Sequence, residues 1–343
     1  MSAKRPDDIA PKLLAWYDAN ARVLPWRAPP GANATDPYRV WLSEVMLQQT
    51  TVAAVRPRFE AWVARWPDFA ALAAADEADV MSAWAGLGYY ARARNLVACA
   101  RVVASEHGGR FPEDEAALRR MPGLGDYTAA AISAIAFGRR AVVVDANVKR
   151  VVARLFADDG GQARALADAI TPDARAGDFA QAMMDLGSGI CTSRAPKCLL
   201  CPLRDHCAGY ASGDPEAYPP RKAKAAKPVR HGTIFWLEAG PCVLLVRRPA
   251  KGLLGGMRAL PTGPWVAEPP GLAEAPADAA WGWHPETITH VFTHFRLELR
   301  LASATAAAQE AGGEWWPVDA LDSAGLPTVF AKAADAMRRV RCG

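Results

Sequence analysis

The hydrophobic positions of this chain change period once. Through the first two-thirds they recur every three to four residues, which predicts helices. Ile9–Ala19, Tyr38–Phe59, Asp76–Trp84, Ala91–Glu106, Glu113–Arg120, Tyr127–Phe137, Asn147–Phe156 and Asp178–Leu186 all read this way, with Gly or Pro between many of them. From Thr233 the spacing becomes two. Thr233–Leu237 and Cys242–Val246 predict a hairpin around Glu238-Ala-Gly-Pro, and Phe295–Leu301 alternates as a strand. Ala331–Val340 returns to helical spacing. Between the two regimes, Ala211–Lys227 carries Gly213, Pro215, Pro219 and Pro220 and then a basic run, which predicts a linker. The pattern therefore predicts an all-α unit of roughly 225 residues followed by a separate α+β domain.

Composition sharpens this picture in a few places. A chain of 343 residues that is 51% hydrophobic holds a sizeable core and two or three domains. No uncharged stretch reaches membrane-spanning length, and the charged N-terminus lacks an apolar segment, so no span and no export signal are expected. A net charge of +4 does not by itself suggest nucleic acid, but the charge is uneven. Arg221, Lys222, Lys224, Lys227 and Arg230 form an acid-free run; Arg92, Arg94 and Arg101 share a second segment, and Lys149, Arg150 and Arg154 a third. Taken alone, each reads first as a solvated helix face or linker.

Four of the 7 cysteines, Cys191, Cys198, Cys201 and Cys207, are spaced C-x6-C-x2-C-x5-C. Clustered thiolates are soft ligands that cage a metal or an iron–sulfur cluster. Zinc sites usually close from two short knuckles, whereas here a single C-x2-C is flanked by wide gaps, which favours a cluster. A zinc site and a pair of disulfides remain the alternatives. The remaining Cys99, Cys242 and Cys342 fit a reducing compartment.

Two further patterns carry chemistry. Met121-Pro-Gly-Leu-Gly-Asp-Tyr-Thr lies between helical segments. Gly123 and Gly125 permit positive φ, so a tight turn exposes amides that, with the next helix N-terminus, grip a phosphate. An ordinary helix–helix turn would leave the same signature. Glu44 sits in Val40-Trp-Leu-Ser-Glu-Val-Met-Leu, apolar almost all round, with Val40 and Leu47 on its face. A carboxyl buried there has a raised pKa and serves as a general acid. Asp145 follows the apolar run Val142–Val144 where a helix begins, a place that favours an anion. A plain N-cap explains it equally well. An acid and a fixed anion together suit glycosidic cleavage.

Taken together, Trp41-Leu-Ser-Glu-Val-Met-Leu-Gln-Gln-Thr, Gly86-Leu-Gly-Tyr-Tyr-Ala-Arg-Ala-Arg, Val144-Asp-Ala-Asn-Val-Lys-Arg-Val, Gln181-Ala-Met-Met-Asp-Leu-Gly and the four cysteines resemble the MutY-type adenine DNA glycosylases. The resemblance is dense from about residue 10 to 225 and thinner beyond. It implies a mostly α helix-hairpin-helix glycosylase fold with an iron–sulfur cluster loop, and an α+β Nudix-like C-terminal domain. The implied division is residues 1–28 with 135–213 as the cluster subdomain, 29–134 as a six-helix subdomain carrying the hairpin, 214–230 as a basic linker and 231–343 as a lesion-recognition domain. The implied cofactor is a [4Fe–4S] cluster on the four cysteines. The implied partner is duplex DNA with adenine opposite 8-oxoguanine or guanine, bound by a monomer in the bacterial cytoplasm and not by a membrane protein.

Residue by residue, the resemblance makes Glu44 the acid that protonates adenine at N7 and Asp145 the stabiliser of the sugar cation, with Tyr127 and Asn147 beside them. Gln48, Gln49 and Tyr89 fall on positions that fill the duplex or wedge beside 8-oxoguanine; Gly123, Gly125 and Lys149 join the DNA-binding set. Trp26, Arg27, Gln181 and Asp185 line the adenine pocket. Arg194, Lys197 and Arg204 are expected to meet phosphates from the cysteine loop. Phe292, Thr293 and His294 match a Phe-Ser-His recognition loop, with Thr in place of Ser. Asp145-Ala-Asn replaces the family's frequent Asp-Gly-Asn, so Ala146 must avoid positive φ or accept strain. No Nudix catalytic glutamate run follows Gly255, which predicts a binding domain. An endonuclease III-like lyase is the enzymatic rival, but this chain has Tyr127 where that family has its lysine. A non-catalytic iron–sulfur DNA-binding module is the other.

Overall fold

The computed structural model describes residues 8–32, 35–220, 226–249 and 252–341. Arg221, Lys222, Lys224 and Cys342 lie outside the described residues. Two compact units are present: residues 1–75 with 95–223, and residues 76–94 with 224–343. The sequence reading assigns 76–94 to the helical half. The structure groups this segment with the second unit, where Arg94 donates to the Gly255 carbonyl at 2.6 Å and Gly325 packs against Ser82.

Among the described residues the helices are α1 (Ile9–Asn20), α2 (Pro37–Leu47), α3 (Val52–Arg65), α4 (Phe69–Ala73), α5 (Glu77–Ala83), α6 (Ala91–Glu106), α7 (Glu115–Leu118), α8 (Asp126–Ile135), α9 (Ala146–Phe156), α10 (Ala163–Ile170), α11 (Ala176–Gly189), α12 (Ala208–Ala211) and α13 (Thr328–Arg341). The predicted run Tyr38–Phe59 is in fact two helices. The chain breaks at Gln48–Thr51, where Gln49 takes φ 57° and Thr51 caps α3 by accepting from the Ala54 amide. A left-handed residue cannot continue a right-handed helix, and a Thr N-cap restarts one.

The first unit is built around α1, α8, α9, α10 and α11. Leu13, Tyr17, Ala130, Ala131, Val148, Val152 and Leu186 form its core. Gly187 allows the closest approach: a Cβ there would stand 2.6 Å from the Asn147 Cβ. This draws α11 against the start of α9 and fixes where Asn147 can point.

In the second unit a mixed sheet runs in the order β3–β2–β1–β5–β4, comprising β1 (Val229–Ala239), β2 (Cys242–Arg247), β3 (Arg258–Ala259), β4 (Gly282–Val291) and β5 (Arg296–Thr305), with β6 (Glu314–Pro317) also pairing β2. The predicted β1–β2 hairpin is present, and β5 pairs β1 in parallel from Val229↔Arg296 to Glu238↔Thr305. Inward-facing Leu297, Leu299 and Leu301 pack under Val329, Phe330 and Met337 of α13. Among the described residues no helix is long and apolar enough to cross a membrane.

Candidate active site

Helical spacing brings Val40, Glu44 and Leu47 of α2 onto one face, and all three line a cavity of about 470 Å³ in the first unit. That volume lies within the range of small-ligand sites, roughly 300–1,000 Å³. Glu44 is only 8% exposed. Tyr127, from the first turn of α8, donates its hydroxyl proton to Glu44 Oε2 at 2.6 Å. Burial pushes the Glu44 carboxyl above its usual range; the Tyr127 hydrogen bond and the Arg27 charge pull it back, and Asp145 adds to the rise. Desolvation is the first of these causes, so the site favours a protonated acid.

Asp145 also lines the cavity and caps α9. Its Oδ1 accepts from the Val148 amide at 2.7 Å and its Oδ2 from Asn147 Nδ2 at 2.8 Å. Cap and cavity wall are thus one arrangement. Ala146 lies in the right-handed first turn of α9, so the departure from Asp-Gly-Asn carries no left-handed strain. Asn147 Oδ1 accepts from Arg150 Nη2 at 2.9 Å, and Arg150 also donates to the carbonyls of Gly187 at 2.6 Å and Cys191 at 2.8 Å.

Trp26, Arg27, Gln48, Gln49 and Gln181 also line this cavity. Trp26 meets Phe59 edge-on with centroids 5.1 Å apart. Asp185 does not line it. Both its oxygens are taken by two arginines that do line it: Arg27 at 2.7 Å, and Arg22 through Nε at 2.6 Å and Nη2 at 2.5 Å. Arg22, Met184 and Ser188 are lining residues that sequence reasoning missed. Nothing in the local sequence of Arg22, just past the end of α1, signals its role. Lys149 is exposed and is not among the lining residues.

At the hairpin only Gly123 uses the left-handed region, with φ 77°, and a Cβ there would come within 2.5 Å of the Asn95 Cβ. Gly125 takes φ −87° as the N-cap of α8, so of the two glycines that permit a positive φ only Gly123 uses it. The basic segments are corrected. Arg92 is buried and donates to the carbonyls of Leu87 and Gly88, and Arg101 donates to Ala73. Arg150 and Arg154 turn inward to the cysteine loop.

The four cysteines are free and half-buried. Cys191 follows α11, Cys198 and Cys201 flank a short 3-10 turn, and Cys207 caps α12, its Sγ accepting from the Tyr210 amide at 3.4 Å. Arg154 Nη1 donates to Cys191 Sγ at 3.4 Å and to the Thr192 carbonyl at 2.6 Å. Among the described residues no three His, Cys, Asp or Glu side chains converge as a single metal ion would require. Arg194 and Lys197 of this loop are exposed, and Arg204 is half-buried beside Asp205.

In the second unit Phe292, Thr293 and His294 form the turn between β4 and β5, closed by the Phe292 amide donating to the Phe295 carbonyl at 2.9 Å. Phe292 stacks on Trp265 at 5.8 Å and is half-buried, while Thr293 and His294 are exposed. Tyr89 is 53% exposed with φ 47°, and its hydroxyl lies 3.3 Å from Thr293 Oγ1. Core packing therefore does not explain Tyr89.

Comparison with known proteins gives two domain matches: HhH-GPD superfamily base excision DNA repair protein over residues 42–171, and NUDIX domain over residues 233–336. Adenine DNA glycosylase of Homo sapiens is 32% identical over 93% of this chain and 72% of its own length. The Mycolicibacterium smegmatis adenine DNA glycosylase is 44% identical over 60% of this chain and 70% of its own. Among solved structures, a thermostable thymine-DNA glycosylase superposes with TM-score 0.54 at 29% identity, covering 60% of this chain and 97% of its own. With Glu44 and Asp145 lining one cavity, and relatives of this kind over most of its length, the chain belongs to the adenine DNA glycosylase family, as a DNA N-glycosylase of base excision repair.

Proposed function

We propose that this enzyme removes adenine opposite 8-oxoguanine or guanine by hydrolysis alone, without lyase chemistry, and that Cys191, Cys198, Cys201 and Cys207 hold a [4Fe–4S] cluster. The observation that carries the catalytic reading is the pairing of buried Glu44, hydrogen-bonded by Tyr127, with Asp145 anchored on the same cavity wall.

Adenine inside a duplex cannot reach a buried acid, so the nucleotide must leave the stack. Tyr127 occupies Glu44 Oε2, leaving Oε1 to carry the proton. Glu44 protonates N7, and the electron pair of the glycosidic bond leaves with the base. The sugar becomes an oxocarbenium ion, and the negative charge of Asp145 stabilises it. Glu44, now a carboxylate, takes a proton from water as its oxygen bonds to C1′. The products are free adenine and an abasic site. Among the described residues no lysine lines the cavity wall where Tyr127 sits, and a phenol forms no Schiff base.

Four thiols in one loop, with N–H donors from Arg154 and Tyr210 aimed at two sulfurs, fit an iron–sulfur cluster. When bound, such a cluster supplies four metal–thiolate bonds that stiffen the loop. Tyr89 beside Thr293, with His294 exposed next to it, supports reading of the base opposite adenine. The test is incubation with a duplex containing adenine opposite 8-oxoguanine. Free adenine without matching strand cleavage, from protein carrying about four irons per chain, is the expected result. Nicking in step with adenine release, or stoichiometric zinc, would defeat the respective parts of the proposal.

A further inference from the structure

The Arg22–Asp185–Arg27 cluster joins buried Asp185 and Arg27 to half-exposed Arg22 beside the cavity, and the excision chemistry as written does not use it. Asp185, on α11, has a side chain only 3% exposed. It accepts from Arg27 Nη1 at 2.7 Å, from Arg22 Nε at 2.6 Å and from the Arg22 amide at 3.3 Å. The Arg27 side chain is 8% exposed, and both arginines line the cavity that Asp185 itself does not reach. A buried guanidinium without its counter-ion is costly, so one carboxylate holding two guanidiniums fixes both in place.

We propose that Asp185 is a positioning residue for excision: it holds Arg27 and Arg22 at the cavity wall and compensates their charge, so that Glu44 keeps its proton until the base arrives. This rests on Glu44 being the acid. Tyr127 from α8 hydrogen-bonds Glu44, and Arg27 from the segment after α1 and Asp145 from the start of α9 are the charges that act on its carboxyl; Arg22 lines the same cavity, and Asp185 of α11 holds both arginines. Tyr17 of α1 is buried near the same pair, and burial pushes its hydroxyl up to about 12, so it contributes no charge. Arg27 is the cation that opposes protonation of Glu44. With Asp185 present, two guanidiniums and one carboxylate leave a single net positive charge. Without it, that charge doubles, and buried Arg27 loses its counter-ion where screening is weak, while half-exposed Arg22 keeps contact with solvent.

The signs follow. Excision needs Glu44 protonated, so the rate falls as pH rises through its pKa. Asp185→Asn keeps the shape but removes the negative charge, which favours ionised Glu44 and moves the basic limb of the pH–rate profile to lower pH. Arg22→Met removes a positive charge and moves the same limb to higher pH. The expected displacement is roughly one pH unit in each case. Asp185→Glu retains the charge and should return the limb toward wild type.

The experiment measures single-turnover adenine excision from a mispaired duplex against pH, for the full-length wild type, Asp185→Asn, Asp185→Glu, Arg22→Met and Glu44→Gln. Opposite displacements in Asp185→Asn and Arg22→Met, with Glu44→Gln inactive, support the proposal. Profiles that superimpose on wild type while Glu44→Gln is inactive overturn it and leave the acid role of Glu44 standing. An active Glu44→Gln overturns both. Because the readout is the position of the limb and not the rate, a partly destabilised variant still discriminates.

Discussion

The Tyr127 hydroxyl and Glu44 Oε2 are 2.6 Å apart, with the phenol as donor. One carboxyl oxygen is thereby fixed. The bond also opposes the rise in the Glu44 pKa that burial causes. Tyr127→Phe is therefore expected to do two things. Excision slows by roughly tenfold, the scale of one lost hydrogen bond to a buried group. The basic limb of the pH–rate profile moves upward, because a restraint on protonation has gone. A fall in rate with the limb displaced downward would refute this assignment.

Glu44→Gln keeps the shape of the side chain but cannot deliver a proton, so excision is expected to fall by at least about a hundredfold. DNA affinity, measured by fluorescence anisotropy, is expected to persist. Stability gives an independent check. The folded pKa of Glu44 lies above its ordinary 4.5. Below 4.5 the carboxyl is neutral folded or unfolded and carries no penalty. As pH rises from there through the folded pKa, the unfolded chain ionises first and stability is lost. The melting-temperature advantage of Glu44→Gln over wild type should thus grow as pH rises from 4.5 through the folded pKa. An advantage that shrinks over that interval would contradict a buried, uncharged acid.

Asn147 ties this chemistry to the cysteine loop. It donates to Asp145 Oδ2 at 2.8 Å and accepts from Arg150 Nη2 at 2.9 Å, while Arg150 Nε donates to the Cys191 carbonyl at 2.8 Å. Arg150→Leu removes this bridge and leaves buried carbonyls unsatisfied, at a cost of roughly 1–3 kcal/mol for each. It is expected to lower both the excision rate and the iron content per chain. Arg194→Leu, an exposed change on the same loop, should leave the iron content at the wild-type level. Equal iron in wild type and Arg150→Leu would show that the bridge does not support the loop.

What the sequence makes legible follows from where the physics is local. Glu44 could be placed in a buried site because Val40 and Leu47 lie on the same helical face, and Asp145 at a helix start because it follows an apolar run. The break at Gln48–Thr51 was hidden, since it contains no Gly or Pro and depends on Gln49 taking φ 57°. The short α4, β3 and β6 carry too few residues to show a period. Arg150 and Arg154 looked like a basic face because charge alone does not say which way a side chain turns. Their targets, the carbonyls of Gly187, Cys191 and Thr192, are non-local. Asp185 was expected in the adenine pocket for the same reason: sequence places it on the right helix but cannot show that two arginines occupy its oxygens.

Lys149 is the nearest amine to Asp145 in sequence, yet it is exposed and absent from the cavity wall. Its aliphatic stem runs past Gly160, where a Cβ would meet Lys149 Cε at 3.1 Å. Lys149→Ala is therefore expected to retain adenine excision within about threefold, the effect of an exposed phosphate contact at most. Borohydride trapping measured alongside reports any Schiff base that this amine forms with the abasic sugar. Loss of excision by a hundredfold or more would mean that this amine enters the reaction.

The last expectation concerns the base opposite adenine. Adenine is the same in a normal pair and a mispair, so discrimination must come from contacts to the other strand. Within the second unit, Thr293 and His294 are exposed at the β4–β5 turn while Phe292 is half-buried against Trp265 and His290. The aromatic packing holds the turn, and the two polar side chains are left outward. Tyr89 reaches Thr293 with its hydroxyl at 3.3 Å, so a flat ring and a hydrogen-bonding pair stand together. A ring can stack on a base while a hydroxyl and an imidazole read the edge of 8-oxoguanine. Thr293→Ala with His294→Ala is expected to spare excision opposite guanine and to lower the preference for 8-oxoguanine by roughly tenfold, the discrimination of one hydrogen-bonded contact. Thr293→Ser, which keeps the hydroxyl and drops the methyl, should preserve the preference. The measurement is single-turnover excision and affinity on both mispairs. An unchanged ratio in the double variant would mean that this turn does not read the lesion. A ratio lost equally in Thr293→Ser would mean that the methyl, and not the hydroxyl, makes the contact.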